Sequence, residues 1–237
     1  MLTVVGLKSG YGKVNILNDV NIDVGKREIV SIIGRNGVGK STFMKTVIGI
    51  LSAGGGNIFY EKSQGVREDI VKWPAFRRAR QGIGYVPQGH GIFPFLTVDE
   101  NLKVGALVNQ SKKVEDYGRV YGYFPHLAQR RKQKAGTLSG GERAMLSIGR
   151  ILVNQPEIIL LDEPSEGVQP NLIEKIGEII IMLRDDMDIT FLMVEQHLGL
   201  IQYVSERAYV MEKGSITSEL TRQQISDYDE VKNFLSV

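Results

Sequence analysis

The residues best suited to chemistry in this sequence form a glycine-rich stretch near position 40. The stretch matches Gly-x-x-x-x-Gly-Lys-Ser/Thr, follows a predicted strand and opens a predicted helix. Glycines let successive backbone N–H groups face a phosphate, and the helix N-terminus adds positive partial charge. A strand-to-helix turn without a ligand needs neither the lysine nor the serine. We therefore predict that Mg-ATP phosphates bind here, at Gly34, Arg35, Asn36, Gly37, Val38, Gly39, Lys40, Ser41 and Thr42.

Two adjacent carboxylates end the apolar run at residues 158–161. Side chains alternate along a strand, so Asp162 and Glu163 face different ways and can take different roles. Asp162 is predicted to hold Mg²⁺ through its water shell, and Glu163 to orient and deprotonate the attacking water. The alternative is a polar strand end exposed to solvent, which the nearby phosphate loop disfavours.

A third motif begins a predicted helix and includes Ser139 with Glu142 three residues later, which is a capping box. A cap alone does not require two glycines, which remove side chains where a backbone must approach something closely. A capped, glycine-rich helix start also attracts anions. The residues predicted to contact phosphate here are Leu138, Ser139, Gly140, Gly141 and Glu142.

In chain order, the phosphate loop, residues 138–142 and residues 160–164 resemble the motifs of the ABC ATPase family, and the resemblance covers essentially the whole chain. The resemblance implies a P-loop NTPase (RecA-like) fold, ATP hydrolysis with Mg²⁺, and a second subunit whose phosphate loop meets residues 138–142. It also implies that Tyr11 stacks on adenine and that Gln88 reaches Mg²⁺ and the attacking water. A tyrosine packed at a strand end is the alternative for Tyr11. Residues 165–168 resemble the loop through which the two sites touch, and the implied metal ligands are Ser41, Gln88 and Asp162.

One position departs from the family pattern, which often has a histidine directly after the acid that ends a strand. Aligned on Glu195, that position holds Gln196, and His197 follows. A glutamine can donate a hydrogen bond to the γ-phosphate but cannot carry a proton. The catalytic candidates are therefore Glu163, Gln88 and Gln196, and His197 is an alternative contact to the nucleotide.

The elements that must position these residues alternate between short apolar runs and helix-like segments. Strands are predicted at residues 28–33, 83–86, 158–161, 189–194 and 208–211, and this alternation is typical of an α/β protein with a mainly parallel core sheet. Residues 2–7 and 16–24 predict an N-terminal antiparallel β subdomain, because no helix separates them. Residues 97–154 show helical spacing and predict an inserted helical subdomain.

One ABC ATPase domain is expected over residues 1–237. The core and β subdomain would span about 1–96 and 155–225, the helical subdomain about 97–154, and a short C-terminal accessory helix about 226–237. In that last helix Val231, Phe234 and Leu235 share one face. A loop is predicted at residues 52–56, and the basic run at 130–134 is interpreted as a solvated helix face.

Composition excludes several classes of function. Lys and Arg number 29 and Asp and Glu 27, a net charge of +2, so no nucleic-acid partner is indicated. The absence of cysteine excludes disulfides, thiolate metal sites and a cysteine nucleophile. No signal peptide is recognised, and no apolar run approaches the about 20 residues that span a bilayer. The chain is thus expected in the cytoplasm, with other chains forming any transport path. The family resemblance implies that it is peripheral on the inner face of the membrane.

Residues 78–89, 92–102 and 194–196 resemble the ATPases of importers for branched-chain amino acids and for urea or short-chain amides. Residues 164–170 look closer to the urea and amide members. The resemblance implies a second ATPase subunit in a homodimer or heterodimer, two integral membrane permeases and, indirectly, a solute-binding protein.

Two other functions are alternatives for a chain with a phosphate loop. A soluble ABC ATPase could act in iron-sulfur assembly or on DNA or the ribosome, but the long heptad insert of repair members and the double ATPase unit of translation factors are missing from this sequence. A P-loop kinase would leave residues 138–142 without a purpose.

Overall fold

The computed structural model describes residues 1–62, 65–109, 117–227, 231, 232 and 234. Its strands are β1 (Leu2–Tyr11), β2 (Val14–Val24), β3 (Ile29–Ile33), β4 (Ala53–Glu61), β5 (Arg67–Asp69), β6 (Ile83–Val86), β7 (Ile158–Asp162), β8 (Thr190–Val194), β9 (Arg207–Glu212) and β10 (Ser215–Thr221). Its helices are α1 (Lys40–Ile48), α2 (Ala75–Arg80), α3 (Val98–Ala106), α4 (Gly118–Tyr123), α5 (Pro125–Gln129), α6 (Gly140–Leu152), α7 (Pro170–Met187), α8 (Leu198–Val204) and α9 (Arg222–Ser226).

The main sheet has the strand order β10-β9-β3-β8-β7-β6, in which all neighbours are parallel except β10 and β9. Every residue of β3, β7 and β8 is buried. Helices cover both faces of such a sheet, so its strands are continuous apolar runs, and this is why the sequence revealed them. Ile158 and Leu160 face one core cluster, while Ile159 and Leu161 face the other. The predicted mainly parallel core is confirmed.

A second sheet, with the order β2-β1-β4-β5, is antiparallel and includes the N-terminal hairpin. This confirms the predicted antiparallel unit but corrects the loop predicted at residues 52–56, most of which belongs to β4. Gly56 permits β4 to pair closely with β1. Gly56 has φ +84°, and a Cβ there would lie 2.4 Å from the Gly6 carbonyl oxygen. Glycine in a strand interior often marks such a close backbone approach.

Between β6 and β7 the described elements are helical, as predicted: α3, α4, α5, α6 and two short 3₁₀ turns (Leu107–Asn109 and Ala135–Thr137). The basic run at 130–134 is exposed for the most part, but it forms a turn and not the predicted helix face. Arg130 pairs with Glu142 at 3.0 Å and Arg131 with Asp99 at 3.1 Å, so the turn bridges α6 and α3.

The C-terminal accessory helix lies partly outside the described residues, and Leu235 is among those not described. Val231 is fully buried in a small cluster with Ile33 and Val210, and Phe234 packs against the same cluster. In the described part of the chain, no helix combines the length and the apolar character that crossing a membrane requires.

Candidate nucleotide site

The phosphate loop joins β3 to α1 through three glycines with positive φ. Gly34 has φ +148°, and a Cβ there would lie 2.3 Å from the Met211 carbonyl oxygen. Gly37 has φ +79°, and Gly39, with φ +113°, directly precedes the first residue of α1. Side chains at these positions would strain the backbone or collide with it, so the loop needs glycine to turn its N–H groups inward.

Lys40 is the first residue of α1 and is only 4% exposed. Its Nζ donates to the carbonyl oxygens of Gly34 at 2.7 Å and Arg35 at 2.9 Å. Burial lowers the pKa of Lys40, and three carboxylates oppose that shift by favouring the charged ammonium, those of Glu163, Asp162 and Glu195. The lysine is thus within electrostatic reach of three acidic side chains.

Asp162 is buried at the end of β7 and accepts two hydroxyl hydrogen bonds. Ser41 Oγ donates to Oδ1 at 3.1 Å, and the Tyr85 hydroxyl donates to Oδ2 at 3.2 Å. Burial raises the pKa of Asp162, although the two hydrogen bonds act against the shift. The predicted pair of Ser41 and Asp162 is therefore brought together, and its hard oxygen donors fit Mg²⁺. Tyr85 was not predicted, because a tyrosine inside a strand gives no motif.

Glu163 directly follows β7 and has a left-handed backbone, with φ +52°. Its Oε1 accepts from Gln196 Nε2, and its Oε2 accepts from Gln88 Nε2 at 3.2 Å. Gln88 Nε2 also lies 3.3 Å from Glu166 Oε1. The three predicted catalytic candidates therefore meet at one carboxylate, and each oxygen of that carboxylate faces an amide. A strained φ at such a position is a feature of functional sites.

Glu195 was not among the predicted site residues, yet the structure places it in the site. It is 2% exposed. Its Oε1 accepts from the backbone N–H of Gln196 at 2.6 Å and of His197 at 2.8 Å, and its Oε2 accepts from the N–H of Ser165 at 3.2 Å. The available signal was an acid directly after an apolar strand, the same signal that identified Asp162.

His197 and Tyr11 lie at the ends of other elements. His197 is exposed and caps α8, with its Nδ1 accepting the backbone N–H of Leu200 at 3.2 Å. Among the described hydrogen bonds it is Gln196, and not His197, whose side chain reaches Glu163. Tyr11 is the last residue of β1 and is 50% exposed, which leaves ring surface for stacking.

The start of α6 has the predicted capping box. Ser139 Oγ accepts the Glu142 N–H at 3.3 Å, and Glu142 Oε2 accepts the Ser139 N–H at 2.9 Å. Leu138 is buried, whereas Ser139 is exposed. Within the residues that the structure describes, no hydrogen bond joins this motif to the phosphate loop of the same chain.

Contacts within the chain itself disfavour side chains at the two glycines of this motif. A Cβ at Gly140 would lie 2.2 Å from the Gly167 carbonyl oxygen, and a Cβ at Gly141 would lie 2.7 Å from Leu172 Cδ1. Close packing against the backbone of the loop after β7 therefore already requires Gly140, whereas the contact at Gly141 is with a flexible side chain of α7. Their presence alone is weaker evidence for an external ligand than the sequence suggested.

Comparisons with known proteins agree with this geometry. A family model described as ABC transporter matches residues 17–166, more than half of the 237 residues. The chain is 42% identical over 220 residues to the high-affinity branched-chain amino acid transport ATP-binding protein BraG of Pseudomonas aeruginosa, covering 91% of each chain. It is 36% identical to the probable branched-chain amino acid transport ATP-binding protein LivF of Archaeoglobus fulgidus, covering 97% of this chain and 95% of that one.

Among solved structures, the chain resembles the ADP conformation of MJ1267, described as an ATP-binding cassette of an ABC transporter. The TM-score is 0.83 at 29% sequence identity, and the match covers 100% of this chain and 99% of that one. The predicted P-loop NTPase fold is therefore confirmed by both sequence and structure.

Asp162→Asn should raise the melting temperature of the nucleotide-free protein, measured by calorimetry at pH 7. The native pKa of Asp162 is above its unfolded value, so the folded protein bears the cost of burying the charge at neutral pH. The gain should shrink as the pH falls through the raised native pKa of Asp162, because the folded wild-type carboxyl then also becomes neutral.

The matched control is Asp69→Asn. Desolvation raises the pKa of Asp69, but hydrogen bonds from Val71, Asn57 and Ile58 outweigh this effect and hold the pKa below its ordinary value. Asp69→Asn should therefore lower the melting temperature. A lower melting temperature in the Asp162 variant would contradict the assignment of a desolvated carboxylate.

Proposed function

Because the chain belongs to the ABC transporter family and is an ATPase, we propose that it powers an importer for branched-chain amino acids or for urea and short-chain amides. The names of the relatives BraG and LivF support the amino-acid part of this proposal. The observation that carries the catalytic part is Glu163 held between the amides of Gln88 and Gln196.

ATP would bind with its phosphates against the N–H groups of the phosphate loop. Lys40 would exchange its contacts with the Gly34 and Arg35 carbonyls for the β and γ phosphates. The hydroxyl of Ser41, the carboxylate of Asp162 and the amide of Gln88 would hold Mg²⁺, which supplies charge neutralisation for the phosphates when bound. Tyr11 would stack on adenine.

Glu163 would take a proton from the attacking water as the water oxygen forms its bond to the γ-phosphorus and ADP leaves. Gln88 and Gln196 orient the Glu163 carboxylate through their N–H groups. Gln196 can also donate to the γ-phosphate, but its amide does not accept or release a proton near neutral pH. The proton transfer therefore falls to Glu163.

A second subunit would complete the site. Ser139 is exposed at a helix start whose dipole favours an anion, yet the described hydrogen bonds leave residues 138–142 apart from this chain's own phosphate loop. The γ-phosphate held by a homologous or identical partner would dock there. ATP would then close the two subunits around two nucleotides, with residues 165–168 between the sites.

Integral membrane permeases would dock on an apolar groove of about 310 Å³ between α2, β6, α3 and α6, lined in part by Phe76, Ala79, Ile83, Val108 and Ile151. Phe76 is 63% exposed at its rim. Arg150 lines the same groove and stacks on Phe93, which is itself exposed. β6 runs along the groove and ends two residues before Gln88, so docking can be sensed at the ATP site.

In the complete transporter this subunit would be peripheral on the cytoplasmic face of the membrane. The solute-binding protein would act through the permeases.

Glu163→Gln should slow ATP hydrolysis by roughly 10²–10⁴-fold, because a positioned general base contributes about that much. ATP binding should persist, and light scattering should show ATP-dependent dimers with the native partner subunit or a second copy. The control is Glu178→Gln, which changes an exposed carboxylate of α7 outside the site and should keep most of the activity. A Glu163 variant that hydrolyses ATP normally, or stays monomeric with every partner tested, would contradict the proposal.

Phe76→Ser should weaken co-purification with the integral membrane permeases and leave the ATPase activity of the isolated subunit unchanged. The change removes an exposed aromatic ring from the groove without touching the site. The control is Val66→Ser, since Val66 is 81% exposed and does not line the groove. Recovery of the wild-type chain with soluble scaffold proteins, and not with permeases, would favour the iron-sulfur assembly, DNA or ribosome alternative.

A further inference from the structure

We infer that Glu195 is a positioning residue that sets the orientation of Glu163 by fastening the loop after β7 to the loop after β8. The inference rests on the proposed role of Glu163 as general base. Glu195 itself makes no hydrogen bond to Glu163 among the described contacts, so it acts through other groups.

The Glu195 carboxylate joins two separate pieces of backbone. Oε1 accepts from two consecutive N–H groups, those of Gln196 and His197, and Oε2 accepts from the N–H of Ser165 across the sheet edge. An ionised carboxylate has only acceptors, and all three partners are donors. Hydrogen bonds to an ionised group are stronger than neutral ones, and at 2% exposure water competes little.

Each of the two loops that Glu195 connects bears on the Glu163 carboxylate. Ser165 is two residues after Glu163, and Gln196 carries the amide that reaches Glu163 Oε1. Glu195 therefore fixes the backbone at both ends of the contact between Gln196 and Glu163. Without it, the general base and the amide that orients it would move independently, and misplacement of about 1 Å can cost roughly 100-fold in rate.

A purely electrostatic role is the competing explanation, since the charge of Glu195 also favours the ammonium form of Lys40. The two roles predict different kinetic effects. Loss of charge near Lys40 would weaken ATP binding and raise KM. Loss of the connection between the loops would lower kcat and leave KM nearly unchanged.

The test compares Glu195→Gln and Glu195→Asp in the purified subunit or transporter, with kcat and KM for ATP as readouts. The glutamine keeps the length, but its NH₂ group must face at least one backbone N–H. The aspartate keeps the charge, but it is one methylene too short to reach both loops. We expect kcat to fall about 10- to 100-fold in both variants, with KM changed less than about twofold.

A double-variant cycle with Gln196→Ala separates positioning from general stability. Because Glu195 acts partly through Gln196, the double variant should lose less activity than the product of the two single losses. The matched control is Glu28→Gln, which neutralises a partner of Arg207 at the opposite end of β3 from the phosphate loop and should lower thermal stability without lowering kcat.

Multiplicative losses in the cycle would overturn the inference. A rise in KM for the glutamine variant alone would also overturn it, and so would a kcat equal to that of the wild type in the aspartate variant. These outcomes are distinct from failure of the proposed function, which would show as normal turnover by Glu163→Gln whatever Glu195 does. If the glutamine variant does not fold, the aspartate variant retains the buried charge and carries the same test.

Discussion

Parallel pairing of β3, β8 and β7 is the constraint on which the site depends. Val194 of β8 is paired with Ile32 of β3 on one side and with Asp162 of β7 on the other. The three strands therefore end at one level, and the residues that follow them meet at one edge of the sheet. Because side chains alternate along a strand, a slip of one residue would turn Asp162 away from Ser41.

The sequence predicted the parts of this arrangement that are local. Strands buried on both faces are continuous apolar runs, and the phosphate loop and the capping box have residue spacings set by their own backbone geometry. The parts that were missed depend on distant partners. Glu195 acquires its role from Ser165, 30 positions earlier, and Gly56 of β4 is explained only by the backbone of β1.

The same dependence on distant partners explains why the structure revised some of the expectations. Gly140 and Gly141 looked like evidence of an external ligand because a capping box does not need them, yet the Gly167 carbonyl already excludes a side chain at position 140. Local sequence cannot show such contacts between elements. The basic run at 130–134 was correctly expected to be exposed to solvent. Its ion pairs with Asp99 and Glu142 are tertiary contacts, and they connect a turn to α3 and α6.

The central claim is that residues 138–142 of one subunit complete the ATP site on the phosphate loop of another. Photocleavage of the assembled transporter with trapped Mg-ADP-vanadate tests it most directly, because vanadate takes the place of the γ-phosphate and cuts the backbone next to it. Mass spectrometry of the fragments should show cleavage of this chain near Ser41 and also near Ser139. Cleavage near Ser41 alone, in a fully assembled and active transporter, would contradict the shared site.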